Sequence, residues 1–133
     1  MKGDKKRKSP EKDEVQDPII KLIKKMPDLI YFRRTSSYQI GRYRVGEPGK
    51  WDIELALLIN DKIYIQIEVE CKKPMKRKPK LSDLRYEQKC YYDNNKDVPC
   101  KFWVVINNPD NFIEAVKHIK SMYKSGKNEI VYC

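Results

Sequence analysis

Two carboxylates and a lysine lie at one end of a predicted β-hairpin that covers residues 51–72. Asp52 is near the start of the first strand, and Glu70 and Lys72 come at the end of the second. Side chains on a strand point alternately to opposite faces, so Glu70 and Lys72 share a face and the side chain of Cys71 points to the other, apolar face. Charges in line at the end of a strand, backed by an aliphatic face, indicate a metal-dependent active site.

The two carboxylates approach each other if the hairpin has a tight turn. A turn at Asn60-Asp61, or at a neighbouring pair, is expected from the turn propensity of these residues. Simple pairing about that turn places Asp52 opposite residue 69, and therefore within one residue of Glu70. The spacing predicts that both carboxylates can bind one ion.

These residue types suit the hydrolysis of a phosphodiester with Mg²⁺ (or Mn²⁺) as cofactor. Mg²⁺ prefers oxygen ligands and keeps several waters, so Asp52, Glu70 and the backbone carbonyl of Cys71 form a sufficient ligand set. A divalent ion neutralises charge on the phosphate and makes a water nucleophilic. Lys72 can orient that water or stabilise the charge that develops on the phosphate.

Three further polar residues form an accessory set. Glu54 shares a face with Asp52, and Glu68 shares one with Glu70. Glu68 could bind a second ion, assist a base or pair with a lysine. Gln88 lies on the helix that follows the hairpin and can reach back towards the strand ends. The alternative for Glu68 and Glu70 is a solvated sheet face that is paired with Lys72 and Lys62.

The surrounding pattern predicts the α/β class, with a mixed β-sheet flanked by helices in the order α-β-β-β-α-β-α-β. We expect a disordered basic tail over residues 1–13 and one domain over 14–133. The expected elements are a helix capped by Asp17 and ended by Pro27, extended segments at 29–32 and 38–45, the hairpin, a helix over 83–94 capped by Ser82, a strand at 100–107, a helix from Asn108 to Gly126 and a last strand at 129–132.

Charge points to a polyanionic partner. The 133 residues include 29 Lys+Arg and 19 Asp+Glu, for a formal net charge of +10 and a pI near 9.4. Such an excess attracts nucleic acid, with a membrane surface as the rival. No stretch is apolar enough to span a membrane, and the first residues lack the apolar centre of a secretory signal, so we expect a cytoplasmic protein. The four cysteines lack the short pair spacing of a zinc site, and we expect them to be reduced.

Basic residues concentrate in the loop between the hairpin and the next helix. The segment 72–80, KKPMKRKPK, carries six positive charges in nine residues and no acid. Beside a metal site, such a loop favours phosphate binding, although solvated loops are also commonly polar. The residues expected to bind nucleic acid are Lys73, Lys76, Arg77, Lys78, Lys80, Arg42 and Arg44.

The spacing of Asp52 and Glu70-x-Lys72 resembles the PD-(D/E)XK nuclease superfamily. The finer pattern is Gly46-x-Pro48-x-x-x-Asp52, then IEVECKKP, then LSDLRYEQ with Gln88. This pattern resembles the VRR-NUC branch over roughly residues 40–107. Trp51 stands where that family usually has a proline, and the loop before Leu81 is longer and more basic than the family version.

The resemblance implies a restriction-endonuclease-like core and a metal-dependent endonuclease, with Asp52, Glu70, Lys72 and Gln88 as catalytic residues. It implies DNA as partner, branched or duplex, since stand-alone viral and bacterial members of similar size include dimers that act on four-way junctions. A viral origin within a host cell fits such a member. The family also tends to carry a helical acidic residue ahead of the first strand, for which Glu14 is the nearest candidate and Glu11 the next.

Two alternatives share this pattern. One is a non-catalytic nucleic-acid-binding module with an inactive nuclease-like fold, and the other is a small toxin or anti-host protein with the same chemistry and a different target. For the nuclease, we expect a homodimer, because symmetric cutting of two strands calls for two sites that are related by a two-fold axis.

Overall fold

A mixed five-stranded sheet flanked by helices forms the centre of the protein. The computed structural model describes residues 9–35, 38–40, 43–45 and 48–133. A π-helical turn, Glu11–Gln16, continues into α1 (Asp17–Lys24), and the further elements are β1 (Leu29–Arg34), β2 (Tyr38–Ile40), β3 (Tyr43–Val45), β4 (Ile53–Asn60), β5 (Ile63–Cys71), α2 (Tyr86–Asn95), β6 (Lys101–Ile106), α3 (Phe112–Ser125) and β7 (Val131–Tyr132).

The sheet has the strand order β1-β4-β5-β6-β7, and β2 pairs with β3 in a separate two-stranded sheet. Strands β1, β4 and β5 are antiparallel, whereas β5, β6 and β7 are parallel. Apart from β2 and β3, the elements follow the predicted order, and the prediction of an α/β fold with a mixed sheet is confirmed. None of the helices in the described ranges has the length and apolar character that a membrane span needs.

One face of the sheet is aliphatic and packs against α1 and α3. Alternate residues of the hairpin strands point to this face and are fully buried, as the sequence pattern predicts. They meet Ile19 and Ile23 from α1 and Phe112 and Ile119 from α3. The hairpin residues on this face are Ile53, Leu55, Leu57, Ile65, Ile67, Val69 and Cys71.

The opposite face carries an aromatic cluster beside the buried carboxylates. Trp51 and Trp103 meet edge to face with ring centroids 4.9 Å apart. Tyr91 and Tyr92 of α2 contact Trp103 edge to face at 5.8 and 5.0 Å, and Leu84 belongs to the same cluster. Such ring pairs add stabilisation beyond the area that they bury. The aromatic cluster therefore fixes α2 against the hairpin.

The first helix begins earlier than the sequence analysis predicts. Asp17 lies inside a helix that is continuous from Glu11, so its prediction as an N-cap is wrong, and residues 11–13 of the predicted tail are helical. The Ser9 hydroxyl accepts the N–H of Lys12 at 3.3 Å and thus occupies the capping role. Asp17 instead makes an ion pair with Arg34 of β1, which ties the helix to the edge of the sheet.

The second helix begins later than predicted. Ser82 lies in a 3₁₀ turn, Leu81–Asp83, and α2 starts at Tyr86. The side-chain oxygen of Gln88 accepts the N–H of Arg85 at 2.9 Å. Because this contact satisfies one of the free N–H groups at the start of the helix, it determines where α2 begins.

The hairpin register differs by one residue from simple pairing about Asn60-Asp61. Asn60 pairs with Ile63, a bulge lies between Leu58 and Asn60, and Ile53 pairs with Val69. The Asn60 side chain accepts the N–H groups of residues 62 and 63, at 3.0 and 3.1 Å, which moves the turn to the pair 61–62. The register brings Asp52 level with Glu70.

Gly49 allows the loop before β4 to pass close to α2. Its φ is +76°, and a Cβ at this position would lie 2.1 Å from the carbonyl oxygen of Glu87. Gly126, which ends α3, also has a positive φ of +71°, but a Cβ there meets nothing within 4 Å. The two glycines therefore share a backbone conformation and differ in packing.

We expect Gly126→Ala to lower the free energy of unfolding by about 1 kcal/mol, the ordinary cost of a left-handed alanine. Gly49→Ala should lower it by about 2 to 4 kcal/mol, because the added methyl group also collides with backbone. Urea unfolding of both variants measures the difference. Equal losses would mean that the loop moves away from α2 at little cost.

Candidate metal centre

Three carboxylates from separate parts of the chain meet at the end of the hairpin. One oxygen from each of Glu11, Asp52 and Glu70 lies within 4.8 Å of the others. We call these three residues the carboxylate cluster. The convergence of Asp52 and Glu70 agrees with the prediction. The helical member is Glu11, the second of the two candidates from the sequence, whereas Glu14 is exposed and lies outside the cluster.

Asp52 is held in place by contacts on both sides. Its Oδ2 accepts the backbone N–H of Cys71 at 2.9 Å, which joins the two strands of the hairpin. The preceding residue, Trp51, is fully buried and donates its indole N–H to the carbonyl oxygen of Gln88 at 3.2 Å. The orientation of Asp52 is therefore set by strand β5 and by α2 together.

Glu70 is only 1% exposed, and its partners are the residues that the sequence analysis assigned to the same site. Its Oε2 accepts a hydrogen bond from Nε2 of Gln88 at 2.7 Å and lies 3.2 Å from Nζ of Lys72. Its Oε1 is buried and has no hydrogen-bond partner among the described residues. One oxygen of Glu70 is thus held by the protein, and the other is left to a ligand.

Gln88 connects the lysine to the carboxylate. It is 2% exposed, and its Oε1 accepts hydrogen bonds from Nζ of Lys72 at 3.0 Å and from the N–H of Arg85. The Nε2 of the same amide donates to Glu70, so the side chain accepts from Lys72 at one end and donates to the carboxylate at the other. A buried amide that satisfies both groups holds the relative positions of Lys72 and Glu70.

Burial raises the pKa values of two carboxylates in the cluster. Burial raises the pKa of Glu70 to about 8, and the neighbouring Asp52 adds to this effect, although Lys72 opposes it. Burial also raises the pKa of Asp52, against the hydrogen bond from Cys71. A positive charge between the carboxylates would stabilise the ionised forms of both.

The donor set could hold a divalent metal ion. Three carboxylate oxygens are hard ligands, and the open Oε1 of Glu70 is an orphaned buried acceptor of the kind that a cation satisfies. The thiol of Cys71 lies in the core, as predicted, and burial raises its pKa well above the ordinary value, which disfavours a thiolate ligand. Its carbonyl as a ligand stays a prediction.

A second pair of carboxylates, Glu54 and Glu68, lies opposite each other on β4 and β5. They are 8% and 0% exposed, and Glu70 is 1% exposed, so the alternative of a solvated sheet face for Glu68 and Glu70 is wrong, although Glu70 does pair with Lys72. Glu54 contacts Arg33, Lys50 and the hydroxyl of Tyr31. The two cations and the phenol O–H stabilise the ionised carboxylate of Glu54.

Lys101 is the partner of Glu68, and the sequence analysis missed it. Its Nζ lies 3.6 Å from Oε2 of Glu68 and 3.5 Å from the hydroxyl of Tyr91. The sequence did contain an indication of its role, because Lys101 is the only charged residue in the otherwise apolar strand β6. Burial raises the pKa of Glu68 to about 7, with Lys101 opposing and Glu54 adding to the rise.

The pKa of Glu54 moves in the opposite direction from that of Glu68. Burial alone would raise it, but the neighbouring Glu68 carboxyl, Lys50 and Arg33 outweigh burial and leave the pKa lowered. A protonated Glu68 can donate to Glu54, whereas two carboxylates at this position would repel each other. The two facing carboxyls therefore have pKa values shifted in opposite directions, upward for Glu68 and downward for Glu54.

The predicted nucleic-acid-binding residues separate into three groups. Lys73, Lys76, Lys78 and Lys80 are exposed. Arg77 differs from them, because both of its terminal nitrogens bind the carboxylate of Asp83. Arg42 lies outside the described residues, as does the side chain of Arg44.

Comparison of the chain with protein-family models, curated proteins and solved structures found no match. We therefore assign the roles of the site residues from their contacts and from the chemistry of their side chains.

Glu11→Gln removes one of the three carboxylates and should weaken Mn²⁺ binding by at least about tenfold. Glu14→Gln is the matched control, because it makes the same chemical change three residues away on the same helix and outside the cluster. Isothermal titration calorimetry with Mn²⁺ compares the two variants with the wild type. Equal affinities for all three proteins would exclude Glu11 as a ligand.

The raised pKa of Glu68 predicts a pH-dependent stability. Between its ordinary value of 4.5 and about 7, the folded protein keeps a proton on Glu68 that the unfolded chain releases, so stability falls as the pH rises through this window. Glu68→Gln removes that titration and should reduce the loss between pH 5 and pH 7.5 by on the order of 1–3 kcal/mol. Urea unfolding in EDTA at both pH values gives the result. Parallel stability curves for the variant and the wild type would contradict the assignment.

Proposed function

We propose that this protein is a metal-dependent nuclease that hydrolyses phosphodiester bonds in DNA, with a restriction-endonuclease-like core of the PD-(D/E)XK, VRR-NUC type. The observation that carries the proposal is the hydrogen-bonded group of Glu70, Lys72 and Gln88, beside which Asp52 is held by the backbone N–H of Cys71. These residues come from three separate segments: the residue before β4, the end of β5 and α2. A charged strand end without a site would not require a buried glutamine to join them.

The proposed metal ligands are Glu11, Asp52 and Glu70, with the carbonyl of Cys71 as the fourth group. Mg²⁺ or Mn²⁺, when bound, neutralises charge on the phosphate and lowers the pKa of a coordinated water. Asp52 is held by the backbone N–H of Cys71 and Glu70 by the side chain of Gln88, so these two carboxylates need little reorganisation on binding.

Lys72 is the cationic group of the proposed reaction. Its side chain is 16% exposed, and its ammonium has two protein partners, Glu70 and Gln88, which hold it at the edge of the carboxylate cluster. From there it can donate to the attacking water or to a phosphate oxygen, and so stabilise the charge that develops during hydrolysis. Gln88 keeps this ammonium aligned and does not itself react.

The net charge of +10 supports DNA as the substrate class, because a polyanion is attracted to such a surface. A branched DNA substrate, a homodimer and an origin in a virus or its host belong to the proposal through the resemblance of the sequence pattern.

The proposal predicts Mg²⁺-dependent cleavage of labelled DNA. Asp52→Asn removes a ligand and Lys72→Ala removes the cationic group, so each should lower the rate of cleavage by about 10²-fold or more. Glu114→Gln, an exposed change on α3, is the control and should cleave at the rate of the wild type. The assay uses branched, duplex and single-stranded oligonucleotides of equal length.

Equal rates for all four proteins would exclude the assigned site. DNA binding without cleavage by the wild type, together with no heat of Mn²⁺ binding, would instead favour the inactive binding module.

A further inference from the structure

The basic loop after the hairpin is held in one conformation by an arginine–aspartate pair. We call residues 73–80 the basic arm. Nη1 and Nη2 of Arg77 each lie 2.8 Å from a different oxygen of Asp83, a fork geometry that fixes both groups. The same carboxylate accepts the backbone N–H of Lys80 at 2.8 Å. Asp83 therefore holds the middle and the end of the arm.

A third contact anchors the arm to the sheet. Asn107, at the end of β6, is 5% exposed and donates from Nδ2 to the carbonyl oxygen of Arg77 at 2.9 Å. The backbone N–H of Asn107 is in turn bound to the carbonyl of Cys133 at 2.8 Å. A loop with these anchors is preorganised and does not need to be ordered by a ligand.

The lysines of the arm present their charges outward. Lys73, Lys76, Lys78 and Lys80 are exposed, and none of them forms a salt bridge with a carboxylate in the described part of the chain. Arg77 differs because its guanidinium is already bound to Asp83. Four unpaired ammonium groups on a fixed loop are suited to contacts with successive phosphates.

A cleft of about 310 Å³ lies between the arm and the carboxylate cluster. Glu11 and Lys72 line the side next to the cluster, and Lys73, Met75 and Pro79 line the side of the arm. Asp83 and Asn107 complete the lining, and the volume, at the lower end of the roughly 300–1,000 Å³ of small-molecule sites, is about the size of one nucleotide. Met75 is 46% exposed among lysines, which suits contact with the face of a base.

We propose that this cleft binds one strand of nucleic acid, with a phosphate on Lys73 at the cleft, the next phosphate on exposed Lys76 of the arm and an unpaired base against Met75, and that Arg77 is a positioning residue held by Asp83. The orientation of the strand towards the carboxylate cluster rests on the proposed nuclease function. Binding of the strand to the arm does not, because it needs no metal and no cleavage.

Asp83→Asn separates the effect of charge from the effect of positioning, because the two predict opposite changes in the affinity for nucleic acid. The variant removes a negative charge, so simple electrostatics would strengthen the binding of a polyanion. Loss of the fork releases the arm, and we expect single-strand affinity to fall at least about threefold. Glu114→Gln makes the same change in net charge on α3 and should not weaken binding. Fluorescence anisotropy with a labelled oligonucleotide in EDTA measures affinity without cleavage.

Two further variants separate charge from geometry. Arg77→Lys keeps the charge but loses the fork, and we expect it to weaken binding as Asp83→Asn does. Lys76→Gln should lower the slope of log affinity against log salt by about 0.7, the contribution of one phosphate contact in a single strand. Lys117→Gln, an exposed lysine on α3, is the control for that loss of charge and should leave the slope unchanged.

Competition between single-stranded and duplex oligonucleotides of equal length tests whether the cleft binds a single strand. We expect the single strand to bind more tightly and Met75→Ala to reduce that preference. Equal affinity for the two forms would overturn the single-strand assignment, and unchanged or tighter binding by Asp83→Asn in a protein with wild-type thermal unfolding would overturn the role of Arg77. If these binding results are obtained but no Mg²⁺-dependent cleavage is seen, the nuclease function is contradicted and the binding proposal stands.

Discussion

Burial of the Glu70 carboxylate beside Asp52 is the constraint on which the rest of the site depends. A carboxylate that is 1% exposed, next to a second one, is unfavourable unless cations and hydrogen bonds compensate. Lys72 and Gln88 provide that compensation on one oxygen only. The remaining oxygen stays open, so the protein holds an electrostatic arrangement that a divalent cation would improve.

The aromatic cluster is what makes this arrangement rigid. Trp51 packs on Trp103 and donates its indole N–H to the backbone carbonyl of Gln88. Because Trp51 directly precedes Asp52, this contact joins the aspartate of the carboxylate cluster to α2. The segment that carries Asp52 is thereby fixed by a tertiary contact to α2.

The two faces of the sheet serve different purposes. The aliphatic face supplies most of the hydrophobic burial, through the alternating residues of β4, β5 and β6 against α1 and α3. The other face bears Glu70, which pairs with Lys72, and the Glu54–Glu68 pair, in which Lys101 of β6 lies beside Glu68. The stability of the aliphatic core is what allows the second face to retain buried charges.

Much of the site could be predicted from alternation along the strands. A period of two placed Glu68 and Glu70 on one face and Cys71 on the other, and the structure agrees because one face must be buried. The turn was displaced by one position, since the hydrogen bonds of the Asn60 side chain compete with simple pairing. A local side-chain contact of this kind is not visible in a hydrophobic pattern.

The sequence by itself determined the fold class, the hairpin and the group of residues around Asp52 and Glu70, because these follow from local periodicity and from the chemistry of neighbouring side chains. Only the tertiary structure decided that Glu11, and not Glu14, joins them, since the choice depends on how the first helix is rotated against the sheet. It likewise decided that Arg77 binds Asp83 and that Lys101 lies beside Glu68. Contacts between distant segments depend on packing in three dimensions, and spacing along the chain does not encode them.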